Sequence, residues 1–111
     1  MRFSFGDVVL VPFPFSDQST SKQRPATVIS SETYHREHAD VLLMAITSQA
    51  RPAAATEVTV TRWQEAGLLR PSVINAAITT IEVRLVIKKL GHLANEDRAQ
   101  LAALLRVILG E

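Results

Sequence analysis

Arg24 stands in the stretch DQSTSKQRPATVISS, residues 17–31, directly before Pro25. The Ser- and Thr-rich tip reads as a loop and the β-branched run Thr27-Val28-Ile29 as a strand. Pro25 pushes Arg24 away from helical φ/ψ toward extended backbone. Arg24 is therefore expected where a polar loop enters a buried strand, with its backbone held and its guanidinium free. A planar fork of five donors in that place suits a phosphate. An arbitrary arginine is usually a solvated surface charge, so the assignment must come from its surroundings.

Those surroundings exclude much. The chain has three His and no Cys, and no Ser/His/Asp set, metal-ligand set or glycine-rich phosphate loop can be drawn. His35 and His38 lie three apart beside Glu37 and Asp40, but without a third distant ligand they make a poor metal site. What remains is chemistry that asks little of the protein. In RNA cleavage by internal transesterification the nucleophile is the substrate's own 2′-hydroxyl, already tethered beside the phosphorus. The protein must hold the phosphate in line and stabilise charge on its oxygens, which an arginine and one or two hydroxyls can do without metal or cofactor. Arg24 and Thr47, with Ser48 or Ser19 assisting, suffice if the second and third strands bring them together. The cations available to gather a polynucleotide on one face are Lys22, Arg24, Arg51, Arg62, Arg70, Arg84, Lys88 and Lys89. Of these, Lys22, Arg51 and Arg62 join Ser19 and Ser48 as the expected substrate contacts.

The elements that must position these residues read as short strands. Val8 to Phe15 is apolar on both faces, and Pro12 and Pro14 require its second half to be an edge or to leave the sheet. A loop, Ser16 to Gln23, leads to a strand from Pro25 to Ser31. Glu32 to Ala39 reads as a solvated connection. Asp40 to Ser48 is a buried strand ending in the two hydroxyls, and Glu57 to Val60 alternates with period two. Thr61 to Ala66 carries capping-box spacing from Thr61 to Gln64, with Gly67 to close the turn. Its Trp63 is assigned to packing ahead of a groove. Ser72 to Glu82 is a strand with a possible bend at Ala76-Ala77, and Val83 to Leu90 another. Asn95 caps a final helix whose Leu101, Leu104, Leu105 and Ile108 form a buried stripe. Val107 and Leu109 broaden that stripe enough to suggest burial against a second copy. Together these predict a mainly β domain with a C-terminal helix, built as a small bent antiparallel sheet or partly open barrel.

With 111 residues the chain has room for one core, so residues 1–111 are read as a single domain. A net charge of +1 permits nucleic-acid binding without arguing for it. The absence of Cys and of any membrane-length apolar run points to a cytoplasmic protein with no membrane partner.

Five segments in order, GDVVLVPFPFSD (Gly6–Asp17), SKQRPATVIS (Ser21–Ser30), DVLLMAITS (Asp40–Ser48), AGLLRPSVI (Ala66–Ile74) and KKLGHL (Lys88–Leu93), resemble the PemK/MazF family of toxins from type II toxin–antitoxin modules. The resemblance implies an SH3-like or CcdB-like barrel and a homodimer. It implies metal-independent, sequence-selective cleavage of single-stranded RNA to 2′,3′-cyclic phosphate and 5′-hydroxyl ends. A cognate antitoxin partner is implied too, with operator DNA met only as the toxin–antitoxin complex. By position, the family's arginine is Arg24 and its hydroxyl residue Thr47. The chain departs from the family at Thr20, where many relatives have Gly, and at the neutral Asn75-Ala76-Ala77, which predicts weaker RNA contact from that strand. The alternatives are a barrel that binds antitoxin or nucleic acid without cutting, and a CcdB-like gyrase poison.

Overall fold

The computed structural model describes residues 2–12 and 22–111. The expectations for Ser19, for Thr20 and for most of the loop before Lys22 therefore lie outside the described residues. Six strands, β1 (Asp7–Pro12), β2 (Gln23–Val28), β3 (Asp40–Ser48), β4 (Val58–Val60), β5 (Ser72–Glu82) and β6 (Lys88–His92), form one antiparallel sheet in the order β4-β5-β3-β2-β1-β6. Two helices, α1 (Glu32–Glu37) and α2 (Asn95–Ile108), complete the architecture. The fold is thus the mainly β sheet with a C-terminal helix that the sequence predicts.

Alternation along the strands gives the sheet two buried faces, which is why the central strands read as continuous apolar runs. Val9, Val11, Ala26, Val28, Val41, Leu43 and Ala45 pack with Phe3, Ile81 and Val86 on one face. Val8, Met44, Ile46, Val58, Val60 and Ile74 meet Leu101 and Leu104 of α2 on the other. Two irregularities curl the sheet. Between the rungs Met44–Ile78 and Ile46–Ile74, Ala45 alone faces Asn75, Ala76 and Ala77, so the bend expected at Ala76-Ala77 is a bulge. Between Val8–Gly91 and Val9–Lys89, Leu90 is the extra residue.

The curl brings the chain after β4 against β6. Gly67 has φ +81°, and a Cβ built on it would lie 2.2 Å from the Leu90 carbonyl oxygen; one on Gly91 would lie 2.8 Å from Ala66 backbone. Glycine is required on both sides because backbone meets backbone there.

Several local expectations change. Glu32–Glu37 is a helix, not a solvated connection: the Ser31 hydroxyl accepts the Tyr34 N–H, and the carboxyl-bearing Glu32 lies in its first turn. Val83–Leu85 winds into a single 3-10 turn, so the last strand starts later, at Lys88. Ala94, not Asn95, occupies the N-cap of α2 and makes no side-chain cap bond. The turn after β4 is capped from outside: Asp97 of α2 accepts the N–H groups of Thr61 and Arg62 at 3.2 and 3.0 Å. Trp63 packs on the α2-side core. Pro12 keeps a partner, Gln23, on the β2 side, while pairing with β6 ends at Leu10–Lys88, so the end of β1 is open on one side.

Candidate functional site

Arg24 is the second residue of β2, directly before Pro25 and opposite Val11 of β1. On its other side β2 pairs with β3 through Val28–Leu43, Thr27–Met44 and Ala26–Ala45. Continuing that register by two residues sets Arg24 opposite Thr47. The β2–β3 ladder ends at Ala26–Ala45, and beyond this last rung Arg24, Pro25, Ile46, Thr47 and Ser48 all line a groove of about 710 Å³. Its floor includes Leu10. Its far wall is the segment Gly67–Arg70 together with Lys88 and Leu90 of β6, the two stretches whose backbones meet at Gly67.

Thr47 is half-buried and its hydroxyl accepts a long hydrogen bond, 3.5 Å, from the Asn75 carboxamide. The Asn75 carbonyl in turn accepts the Ala77 N–H at 2.9 Å, so the bulge of β5 fixes the amide that faces Thr47. The neutral segment therefore has a role the sequence does not reveal: it orients a hydroxyl rather than supplying charge.

The groove is electrostatically one-sided. Lys22, Arg24, Arg70 and Lys88 line it, with no carboxylate among its described lining. Four cations outside it are paired with carboxylates. Arg51 makes a two-pronged contact with Glu57 at 2.9 and 3.2 Å. The Arg51 hydrogen bond, helped by the Ala54 N–H, holds the Glu57 carboxyl below its ordinary range. Arg62 bridges Glu65 and Glu96 at 2.9 and 2.6 Å, and the hydrogen bond to Glu65 leads in raising its pKa. Arg84 pairs with Glu82 and Lys89 with Asp7. Lys22, Arg24, Thr47 and Ser48 are thus brought together, whereas Arg51 and Arg62 are not among the groove's lining residues. Sequence reasoning left out Gln23, Leu69 and Ser72, and gave Arg70 and Lys88 no specific role. The signal for the far wall was the Gly67 punctuation before LLRPS, but only the fold reveals what it abuts.

The two histidines are used separately. His35 sits between the Ser30 hydroxyl, at 2.6 Å, and the Phe3 carbonyl, at 2.9 Å. His38 stacks on Tyr34, centroids 4.2 Å apart. Among the described residues no three His, Asp or Glu gather as a metal site would require. Nor is any described helix long and apolar enough to cross a membrane.

A curled six-stranded sheet with a C-terminal helix, and a cation-lined groove at the open end of its central strands, makes a small half-barrel. The family model for PemK-like, MazF-like toxins of type II toxin–antitoxin systems matches residues 4–109. The chain belongs to that family. Among solved structures it is similar to an endoribonuclease in complex with its cognate antitoxin from a mycobacterial species, at TM-score 0.79 and 19% identity, covering 98% of this chain and 96% of that one. It is also similar to the Mycobacterium tuberculosis toxin MazF-mt6, at TM-score 0.75 and 24% identity over 94% and 96% of the two chains. MazF from a MazE–MazF structure of Deinococcus radiodurans aligns at TM-score 0.73 and 21% identity over 96% and 94%. No curated protein sequence matches the chain.

Proposed function

We propose that this chain is the toxin of a toxin–antitoxin pair and acts as a sequence-selective endoribonuclease on single-stranded RNA in the cytoplasm. The observation that supports the reading is that Arg24 and Thr47 line one groove beyond the last β2–β3 rung, together with Lys22, Arg70 and Lys88 and with no carboxylate in its described lining.

The chemistry follows from that arrangement. The RNA lies along the groove with one phosphodiester between Arg24 and Thr47. The 2′-oxygen of the preceding ribose attacks phosphorus as the bond to the 5′-oxygen breaks. The 2′-hydroxyl gives its proton to solvent water, the departing oxygen takes one from water, and the ends are a 2′,3′-cyclic phosphate and a 5′-hydroxyl. Negative charge grows on the non-bridging oxygens during this step, and the Arg24 guanidinium is placed to stabilise it. An arginine with a pKa above about 12 is a poor proton shuttle near neutrality, so electrostatic stabilisation is its main role. Thr47, oriented by Asn75, donates its hydroxyl hydrogen to the same phosphate, and Ser48 and Lys22 hold the strand. Because proximity comes from the substrate and charge stabilisation from Arg24, the reaction proceeds without metal.

The family membership supports an antitoxin partner that blocks the same groove, and the exposed Val107 of α2 and Leu109 at its C-cap support burial against a second copy. Incubating the purified protein with a long single-stranded RNA in EDTA tests the central claim. Discrete fragments ending in cyclic phosphate are expected from the native chain and not from Arg24→Ala. Intact RNA under conditions where it binds would instead assign a non-cutting, binding role.

A further inference from the structure

Resting on that reading, we propose that Arg70 and Lys88 form a second phosphate-binding position in the groove, which grips the phosphate flanking the one cleaved. The two residues line the same groove and come from two segments whose backbones meet at Gly67 and Leu90. Lys88 is opposite Leu10 in β1, and Leu10 is opposite Pro25 in β2. Lys88 therefore starts two strand spacings, about 10 Å, from the backbone beside Arg24. Such a separation suits a neighbouring phosphate better than a shared one.

Place in the groove, not want of a partner, separates this position from other cations: Arg2, Arg36, Arg98 and Arg106 also have no carboxylate partner among the described residues, but none of them lines the groove. Lys89, next in sequence, is paired with Asp7 at 3.1 Å, and Arg51, Arg62 and Arg84 also have carboxylate partners. Among the described residues neither Arg70 nor Lys88 has one, although both line a groove with Ser48 and Ser72 hydroxyls beside them. Both side chains are exposed, so neither is held for packing. Leu69, 90% exposed beside Arg70, gives the same wall an apolar surface on which a base can rest.

The test measures binding of a mixed-sequence, fully 2′-O-methylated RNA, which lacks the attacking hydroxyl, as salt is raised. Removing one cation that neutralises a phosphate of a single strand flattens the plot of log K against log salt by about 0.7 in slope. Arg70→Gln and Lys88→Gln should each flatten the slope by that amount, and Arg106→Gln on α2 should not. In cleavage assays the two variants should raise KM with kcat little changed, the mark of uniform binding. A methylphosphonate at the flanking linkage should weaken binding to the native chain and have little further effect on Lys88→Gln. Native slopes in both variants, with cleavage by the native chain intact, would overturn this inference and leave the proposed function standing. A native chain that neither binds nor cuts RNA would overturn both.

Discussion

The carboxylate of Asp97, 1% exposed on α2, accepts the backbone N–H of Arg62 at 3.0 Å and that of Thr61 at 3.2 Å. A helix thereby caps a turn 35 residues away in sequence, and that turn runs directly into the far wall of the groove. Asp97→Ala leaves two donors without their acceptor, at a cost of about 1–3 kcal/mol. Urea unfolding should show a lowered midpoint with an unchanged m-value. Because the wall loosens with the turn, RNA affinity should fall as well, and Asp97→Asn, which keeps one acceptor oxygen, should fall less in both.

Arg24→Ala should reduce cleavage by about 10²–10³-fold, the usual consequence of losing one donor aimed at transition-state charge. Thr47→Val, which keeps the shape and removes the hydroxyl, should reduce it by about tenfold. Both residues are half-buried at strand ends, so unfolding free energies should stay within about 0.5 kcal/mol of native for the arginine variant. A rate unaffected by either change would displace the site from this end of the groove.

Glu57 gives the fold an acid-sensitive clip. Its folded pKa is depressed by the Arg51 hydrogen bond first and the Ala54 N–H second. A depressed carboxyl contributes stability that is present above its unfolded value, about 4.3, and lost as pH falls through the lower folded value. Melting temperatures measured downward from neutrality should therefore drop below about pH 4 in the native chain. Glu57→Gln should start lower and show a shallower drop.

Tyr34 behaves oppositely. Its hydroxyl donates to Asp40 at 2.5 Å, and that hydrogen bond leads in raising its pKa. The contribution is complete below the unfolded tyrosine value near 10 and fades as pH rises through the higher folded one. A spectrophotometric titration of the single Tyr should show ionisation above that of free tyrosine, and Asp40→Asn should bring it back.

The elements legible in sequence are those whose pattern is enforced locally. Asp40–Ser48 and Ser72–Glu82 match their expected bounds because long, largely apolar runs are bracketed by polar residues at both ends. α1 was illegible because it buries none of its residues and so carries no apolar stripe. It forms because Ser31 caps it, a local signal that a six-residue helix leaves easily overlooked, and because His35 is fastened to Ser30 and to Phe3, the last a contact that no local pattern encodes. For the groove, Arg24 was legible from its proline, and Thr47 and Ser48 from their place at a strand end. Arg70 and Lys88 were visible as charges but not as neighbours, since their meeting depends on how far the sheet curls. Arg51 and Arg62 carried the same sequence signal as the groove cations; only the positions of Glu57, Glu65 and Glu96 distinguish them.

Gly67→Ala should be the most damaging single-methyl change in the chain. It forces a side chain into left-handed backbone and places its Cβ 2.2 Å from the Leu90 oxygen. A loss of about 3 kcal/mol or more in unfolding free energy is expected.

That same seam fixes the gauge of the groove. One bank is carried on β2 and β3, the other on two segments clamped main chain to main chain at Gly67 and Leu90, and a peptide junction of that kind has no rotamer to adjust. The distance between the banks is therefore set by main chain and does not change with the side chains that line it.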